Sequence, residues 1–184
     1  GEPAPPTSER ISGADWYGQE LLRKEYSNTL FVDIDLTEVQ SSGCVFNECT
    51  FRRARFNASI HKDSAFVNCT FVSCNFFDSK FLECKLLGSM FDDCQFHHMQ
   101  VIGGDWGFVG LPGADLSRAS LLGIRLREAD LTGARCQGGT IRDTDLSGRK
   151  LPRQVDTAKV ELPARVIRRS APSPRCPGCR DHPK

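Results

Sequence analysis

No apolar run in this 184-residue chain approaches the ~18 residues of a membrane-spanning helix, so none is expected. The first ten residues, GEPAPPTSER, lack the apolar core of an export signal. Neither sign of charge dominates: 24 Lys and Arg stand against 23 Asp and Glu, a formal +1. That balance demands neither nucleic acid nor an anionic membrane as a partner. It does conceal a gradient. Residues 1–40 carry 3 basic and 8 acidic groups, whereas residues 151–184 carry 8 and 3. Histidine is scarce, and His97 and His98 are adjacent, so their side chains diverge and make no ready metal clamp. No phosphate-binding loop or paired-glycine dinucleotide fingerprint occurs. Gly103, Gly104 and Gly107 around Asp105 and Trp106 are read as packing and corner positions. With no nucleophile–base set and no cofactor motif, neither catalysis nor a cofactor is expected.

What the chain does have is a period. From Phe66, steps of five reach Phe71, Phe76, Phe81, Leu86, Phe91 and Phe96. Backwards, the series runs through Phe56, Phe51, Phe46, Leu36 and Phe31. Forwards, it continues through Val101, Trp106, Leu111, Leu116, Leu121, Leu126, Leu131, Cys136, Ile141, Leu146 and Leu151. A helix repeats its buried face every 3.6 residues and a strand every 2, so a period of five fits neither. Two residues before most centres stands a smaller side chain, such as Cys49, Ala54, Ser59, Cys69, Cys74, Ser89, Ala114 and Ala129. One large and one small residue per five point inward, and the other three face water. No single unit buries this face alone, so the units must stack as a solenoid.

Units such as Ala114-Asp115-Leu116-Ser117-Arg118 and Ala129-Asp130-Leu131-Thr132-Gly133 carry a further signal. They match the A(D/N)LXX motif, and residues 29–151 resemble the pentapeptide-repeat family. The resemblance implies an all-β fold, a right-handed quadrilateral β-helix with four pentapeptides per square turn. About six coils follow, in a rod roughly 30 Å long at strand spacing. Residues 20 apart then stack. The predicted core columns contain Phe31, Phe46, Phe51, Phe56, Phe66, Phe71, Phe76, Phe81, Phe91, Phe96, Leu116, Leu121, Leu126 and Leu131.

Six of the nine cysteines fall in the small inward slot, with Cys49 below Cys69 and Cys74 below Cys94. There they act as small hydrophobes, reduced, and the protein is expected to be cytoplasmic. Residues 1–12 are read as disordered, and residues 13–30 as an irregular first coil covering the open end. Ser41 and His61 interrupt the apolar series. At His61 a local bulge is expected, with Ile60 turning inward in its place. Residues 152–184 are read as a mostly disordered basic tail broken by prolines. Its Cys176, Cys179 and His182 offer three ligands at most, so no metal site is expected.

Leu87-Gly88-Ser89-Met90-Phe91, Gly113-Ala114-Asp115-Leu116 and Arg125-Leu126-Arg127-Glu128-Ala129-Asp130-Leu131 are similar to the Qnr- and MfpA-type branch of that family. The resemblance implies a DNA mimic that binds DNA gyrase or topoisomerase IV and confers resistance to fluoroquinolones or immunity to natural topoisomerase poisons. The alternative is a scaffold for another protein partner. Direct nucleic-acid binding is not expected. Branch members join two rods through an apolar C-terminal helix; this tail has none, so dimerisation does not carry over. Duplex DNA bears roughly 17 charges over 30 Å. Residues 31–150 hold 15 acidic and 13 basic groups, a net of −2. Only a local strip could imitate DNA, and the candidates are Asp63, Asp78, Glu83, Asp92 and Asp93. The competing reading is a ladder of surface ion pairs along columns such as Arg55 to Arg135 and Asp105 to Asp145.

Overall fold

The computed structural model describes residues 8–148 and the short strand Val160–Glu161. Every fifth residue faces the axis, and the chain turns a corner two residues later. From Gly13 to Gly148 each of these corner residues has positive φ, with the exception of Arg118. Glycine adopts that conformation freely and Asn or Asp with little cost, whereas other residues pay roughly 1 kcal/mol or more. Neighbouring turns hold the corner. The N–H of Asp33 donates to the Arg52 carbonyl and that of Arg53 to the Val72 carbonyl, both at 2.9 Å. Four corners close one turn in 20 residues, and about seven turns stack as a parallel, all-strand solenoid.

The sides differ in regularity. On the first, Ile11, Phe31, Phe51, Phe71 and Phe91 pair in register through a five-stranded parallel sheet. The second side, from Asp15 to Arg135, is joined only by isolated bridges. The third carries Leu21, Ser41, His61, Phe81, Val101, Leu121 and Ile141 in an eight-stranded sheet that ends on Val160–Glu161. On the fourth, strands centred on Tyr26, Phe46 and Phe66 give way to bridges from Ala65 to Asp145.

The axis fills as the period requires. All fourteen predicted core residues are buried, none more than 3% exposed. Their rings stack vertically: Phe31 on Phe51 at 4.7 Å between centroids, Phe46 on Phe66 at 4.7 Å, Phe56 on Phe76 at 4.8 Å, Phe71 on Phe91 at 4.7 Å. Adjacent columns meet edge to face, as between Phe71 and Phe76 at 5.5 Å. Both are favourable ring geometries. Above Phe96 and Trp106 the core changes from aromatic to aliphatic, with Leu111 to Leu131 continuing the columns.

The slot two residues earlier is not uniformly small. Ile34, Val39, Met99, Val109 and Ile124 occupy it and are buried. Each accompanies a Leu, Val or Ser centre. Phenylalanine centres are paired with Thr, Cys, Ser or Ala, and Trp106 with Gly104. A Cβ on Gly104 would lie 2.1 Å from the Cys84 carbonyl oxygen. Centre and slot thus trade volume so that each level is filled to interior density.

Three expectations are corrected. The segment read as disordered contains the strand Glu9–Ser12, paired with Thr29–Val32. Ile11 and Trp16 take the centre positions of a first turn that is regular, and Trp16 packs on Tyr26 and Phe31. At the other end, Val160–Glu161 within the expected tail pairs with Ile141 and Arg142. The third correction concerns His61. The register runs unbroken from Ser41 to His61 to Phe81, with no bulge. His61 itself points inward, 2% exposed, and stacks on Phe81 at 4.9 Å.

Polar neighbours make this possible. The Ser59 hydroxyl donates to the Phe56 carbonyl at 2.7 Å, so it accepts from His61 Nε2–H at 3.0 Å. The Ser41 hydroxyl is then left to donate to His61 Nδ1 at 2.7 Å. One neutral tautomer satisfies both partners. Burial drives the imidazole pKa down to about 3.

Two outcomes follow from this core. Phe71→Ala removes a ring with no solvent exposure from contact with five others, and should cost about 3–5 kcal/mol in a denaturant melt. A loss below about 1 kcal/mol would contradict an inward Phe71. His61 is neutral in the fold and takes up a proton in the unfolded chain below about pH 6.5. Its contribution is therefore complete above about pH 6.5 and drains away as the pH falls toward about 3, at about 1.4 kcal/mol per pH unit. Between pH 7 and pH 5, His61→Leu should lose about 2 kcal/mol less stability than the parent chain. Equal losses would show that His61 is not linked to folding.

Candidate functional site

With centres and slots turned inward, recognition is left to the outer positions and the corners. The five candidate acids are all on the exterior, but on three different corners. Asp63 and Glu83 are vertical neighbours where the third side meets the fourth. Asp78 sits between the second side and the third, and Asp92 and Asp93 between the first and the second. Asp93 accepts a hydrogen bond from the Ser73 hydroxyl at 2.9 Å. The side chains of Asp63, Asp78, Glu83 and Asp92 have no hydrogen-bond or ion-pair partner among the described residues. The Glu83 carboxylate instead lies over Gly103, its oxygen 2.0 Å from where a Cβ would stand.

Other acids are committed elsewhere. Arg53 grips Asp33 through two hydrogen bonds, Nε to Oδ1 at 2.7 Å and Nη2 to Oδ2 at 3.0 Å, which hold the Asp33 carboxyl below its usual range. Arg55 pairs with Asp35 at 2.8 Å, and Arg135 with Asp115. The expected ion-pair ladder is thus present in part along the second side, interrupted by Asn75 and Gln95, whereas Asp105, Arg125 and Asp145 on the fourth side form no ion pair with one another among the described residues.

The residue just before each centre has a second duty that sequence reasoning missed. Asp15, Asp35, Asn75, Asp105, Asp115, Asp130 and Asp145 each accept, through the side-chain oxygen, the backbone N–H two residues on, at 2.9–3.1 Å. This is an Asx-type turn, and it explains why the repeat favours Asp or Asn there. The recurrence of Asp at that place was the available signal. At Asp115 the Ser117 hydroxyl, the Ser117 N–H and Arg135 together lower the carboxyl pKa.

This repeat has a counterpart among known proteins. Residues 111–148 match the family model for pentapeptide repeats, in eight copies. Residues 111–148 thus carry pentapeptide repeats, and the parallel solenoid they belong to has the pentapeptide-repeat fold. The pentapeptide-repeat fold also aligns with a trypsin-treated variant of QnrB1, a plasmid-mediated fluoroquinolone resistance protein. That alignment has a TM-score of 0.69 and 19% identity, over 87% of this chain and 90% of the other. A second trypsin-treated QnrB1 variant aligns with TM-score 0.50 and 16% identity, over 86% and 94%. At such identities the likeness concerns the fold. No curated protein matches the chain in sequence.

Among the described residues no three His, Cys, Asp or Glu side chains gather as metal ligands, and no helix is long and apolar enough to cross a membrane. Cys176, Cys179 and His182 lie outside the described residues. The seven described cysteines are free thiols. Burial pushes the Cys69 and Cys136 thiols up, and that of Cys84 to about 11. Such thiols are poor nucleophiles. Cys44, Cys49, Cys69, Cys74 and Cys84 are no more than 1% exposed, so they should resist a thiol reagent in the native rod at pH 8 and react at once in denaturant. Fast native labelling at those five, read by peptide mass mapping, would contradict the packed shaft.

Proposed function

We propose that this rod is a non-enzymatic, cytoplasmic binding protein whose partner is DNA gyrase or topoisomerase IV. It engages the enzyme at the surface where DNA otherwise lies and protects it from fluoroquinolones or natural topoisomerase poisons. The observation that carries the reading is the closed, filled shaft, whose unpartnered acids Asp63, Asp78, Glu83 and Asp92 all stand on the outside. The alignment with a fluoroquinolone resistance protein over most of both chains supports it, as does the resemblance of Leu87–Phe91 and Arg125–Leu131 to that branch.

A second reading is a scaffold for another protein partner. It is favoured by the split of the acids among three corners and by the diversion of other Asp residues into turns and ion pairs, which leave no continuous acidic strip.

A supercoiling assay separates the two. Micromolar rod should inhibit gyrase or restore supercoiling in the presence of a fluoroquinolone, and Asp63→Asn with Glu83→Gln should weaken that effect. Absence of binding, inhibition and protection at that concentration would remove the topoisomerase reading and leave the scaffold.

A further inference from the structure

Arg118 is the one described corner residue without positive φ, and the break reorganises what surrounds it. On this column the corner N–H donates to the carbonyl nineteen residues ahead: Glu38 to Asn57, Ala58 to Phe77, Asp78 to His97. At the next turn His98 N–H slips by one residue and donates to the Arg118 carbonyl, at 2.9 Å. The Ser117 carbonyl is thereby released. The Arg118 N–H, which the repeat would join to Gln137, has no acceptor among the described residues.

The turn above is drawn inward. A Cβ on Gly139 would lie 2.3 Å from the Leu116 carbonyl oxygen, and Gly138, with φ +92, adds no side chain. The result is an open recess of ≈ 440 Å³. His98, Gln100, Ser117, Arg118, Ser120 and Thr140 contribute its polar wall.

The wall is rich in donors and poor in acids. The Arg118 guanidinium has no ion-pair partner among the described residues, and no carboxylate lines the recess. Asp115, the acid on the same turn, is engaged by Ser117 and Arg135. A planar guanidinium beside a free backbone N–H and a hydroxyl is the donor set that oxyanions bind.

We propose that this recess is a binding site for a small oxyanion, a carboxylate or a phosphate group, held by the Arg118 guanidinium and N–H with Ser120 and His98 beside it. The site uses none of the acids assigned to the partner, although Asp78 stands on the same corner column one turn below His98, and it does not depend on the partner's identity.

The test is a titration of the isotope-labelled full chain with inorganic phosphate, with acetate and with chloride at matched ionic strength, followed by amide spectra. Phosphate or acetate should give saturable shifts at Arg118, Ser120 and Thr140, and chloride should not; which anion saturates tells the class. Arg118→Gln should weaken binding by about tenfold or more, as expected for loss of a charge-assisted hydrogen bond. Arg53→Gln, on a distant corner, should leave it unchanged. Both positions are exposed, so the fold is retained and the spectra report it directly. Shifts that fail to saturate, that chloride reproduces, or that persist in Arg118→Gln overturn the assignment.

Discussion

A shaft bounded by four strands offers a fixed volume at each turn, and every level has to be filled to the density of a protein interior. That constraint organises the rest of the molecule. It admits a phenylalanine only beside a small neighbour, tolerates isoleucine or methionine only beside a slimmer centre, and leaves Trp106 room only because Gly104 gives up its side chain. Cysteine is frequent here for its size and its ease with burial rather than for redox chemistry. Even His61 obeys the rule: it is accepted as a flat ring of suitable volume, and its nitrogens are satisfied by Ser59 in the small slot and by Ser41 at the centre one turn below.

The same packing determines what the exterior can do. Once the axis is closed, neither substrate nor cofactor can enter it, and chemistry is confined to the outer positions of each unit. Part of that surface is already spent on architecture. Aspartates before the centres tie down turns, and arginine–aspartate pairs link one turn to the next. Acids available for a partner are those at the left-handed corners and in the outward strand positions, which no turn needs. The search for recognition therefore narrows to a few carboxylates and to the place where the repeat is broken.

Much of this was legible from the chain alone because the period is strict. A step of five with columns at twenty placed every predicted core residue correctly, and the same arithmetic foresaw the ladder on the second side. What escaped was polar or atypical. Glu9 and Lys24 stand in slots where apolar residues were sought, which hid the regular first turn behind Ile11 and Trp16. His61 resembled an interruption because its partners lie twenty and two residues away, and only a folded register brings both to one ring. The family model, too, matches only 111–148, where leucine and alanine fill the inward places; the phenylalanine–cysteine turns below build the same walls from other residues. The Arg118 slip had no sequence signal, since arginine is an ordinary tenant of that position.

The quarter-turn logic has a bearing on how such a rod can change. Adding or removing five residues would keep large and small groups pointing at the axis, yet would rotate every later column by one side. A corner bearing Glu83 would then continue into a different row of neighbours. Twenty residues, by contrast, would lengthen the rod and preserve each row. Growth by whole turns conserves an established docking face, whereas growth by single units reshuffles it while the interior scarcely notices.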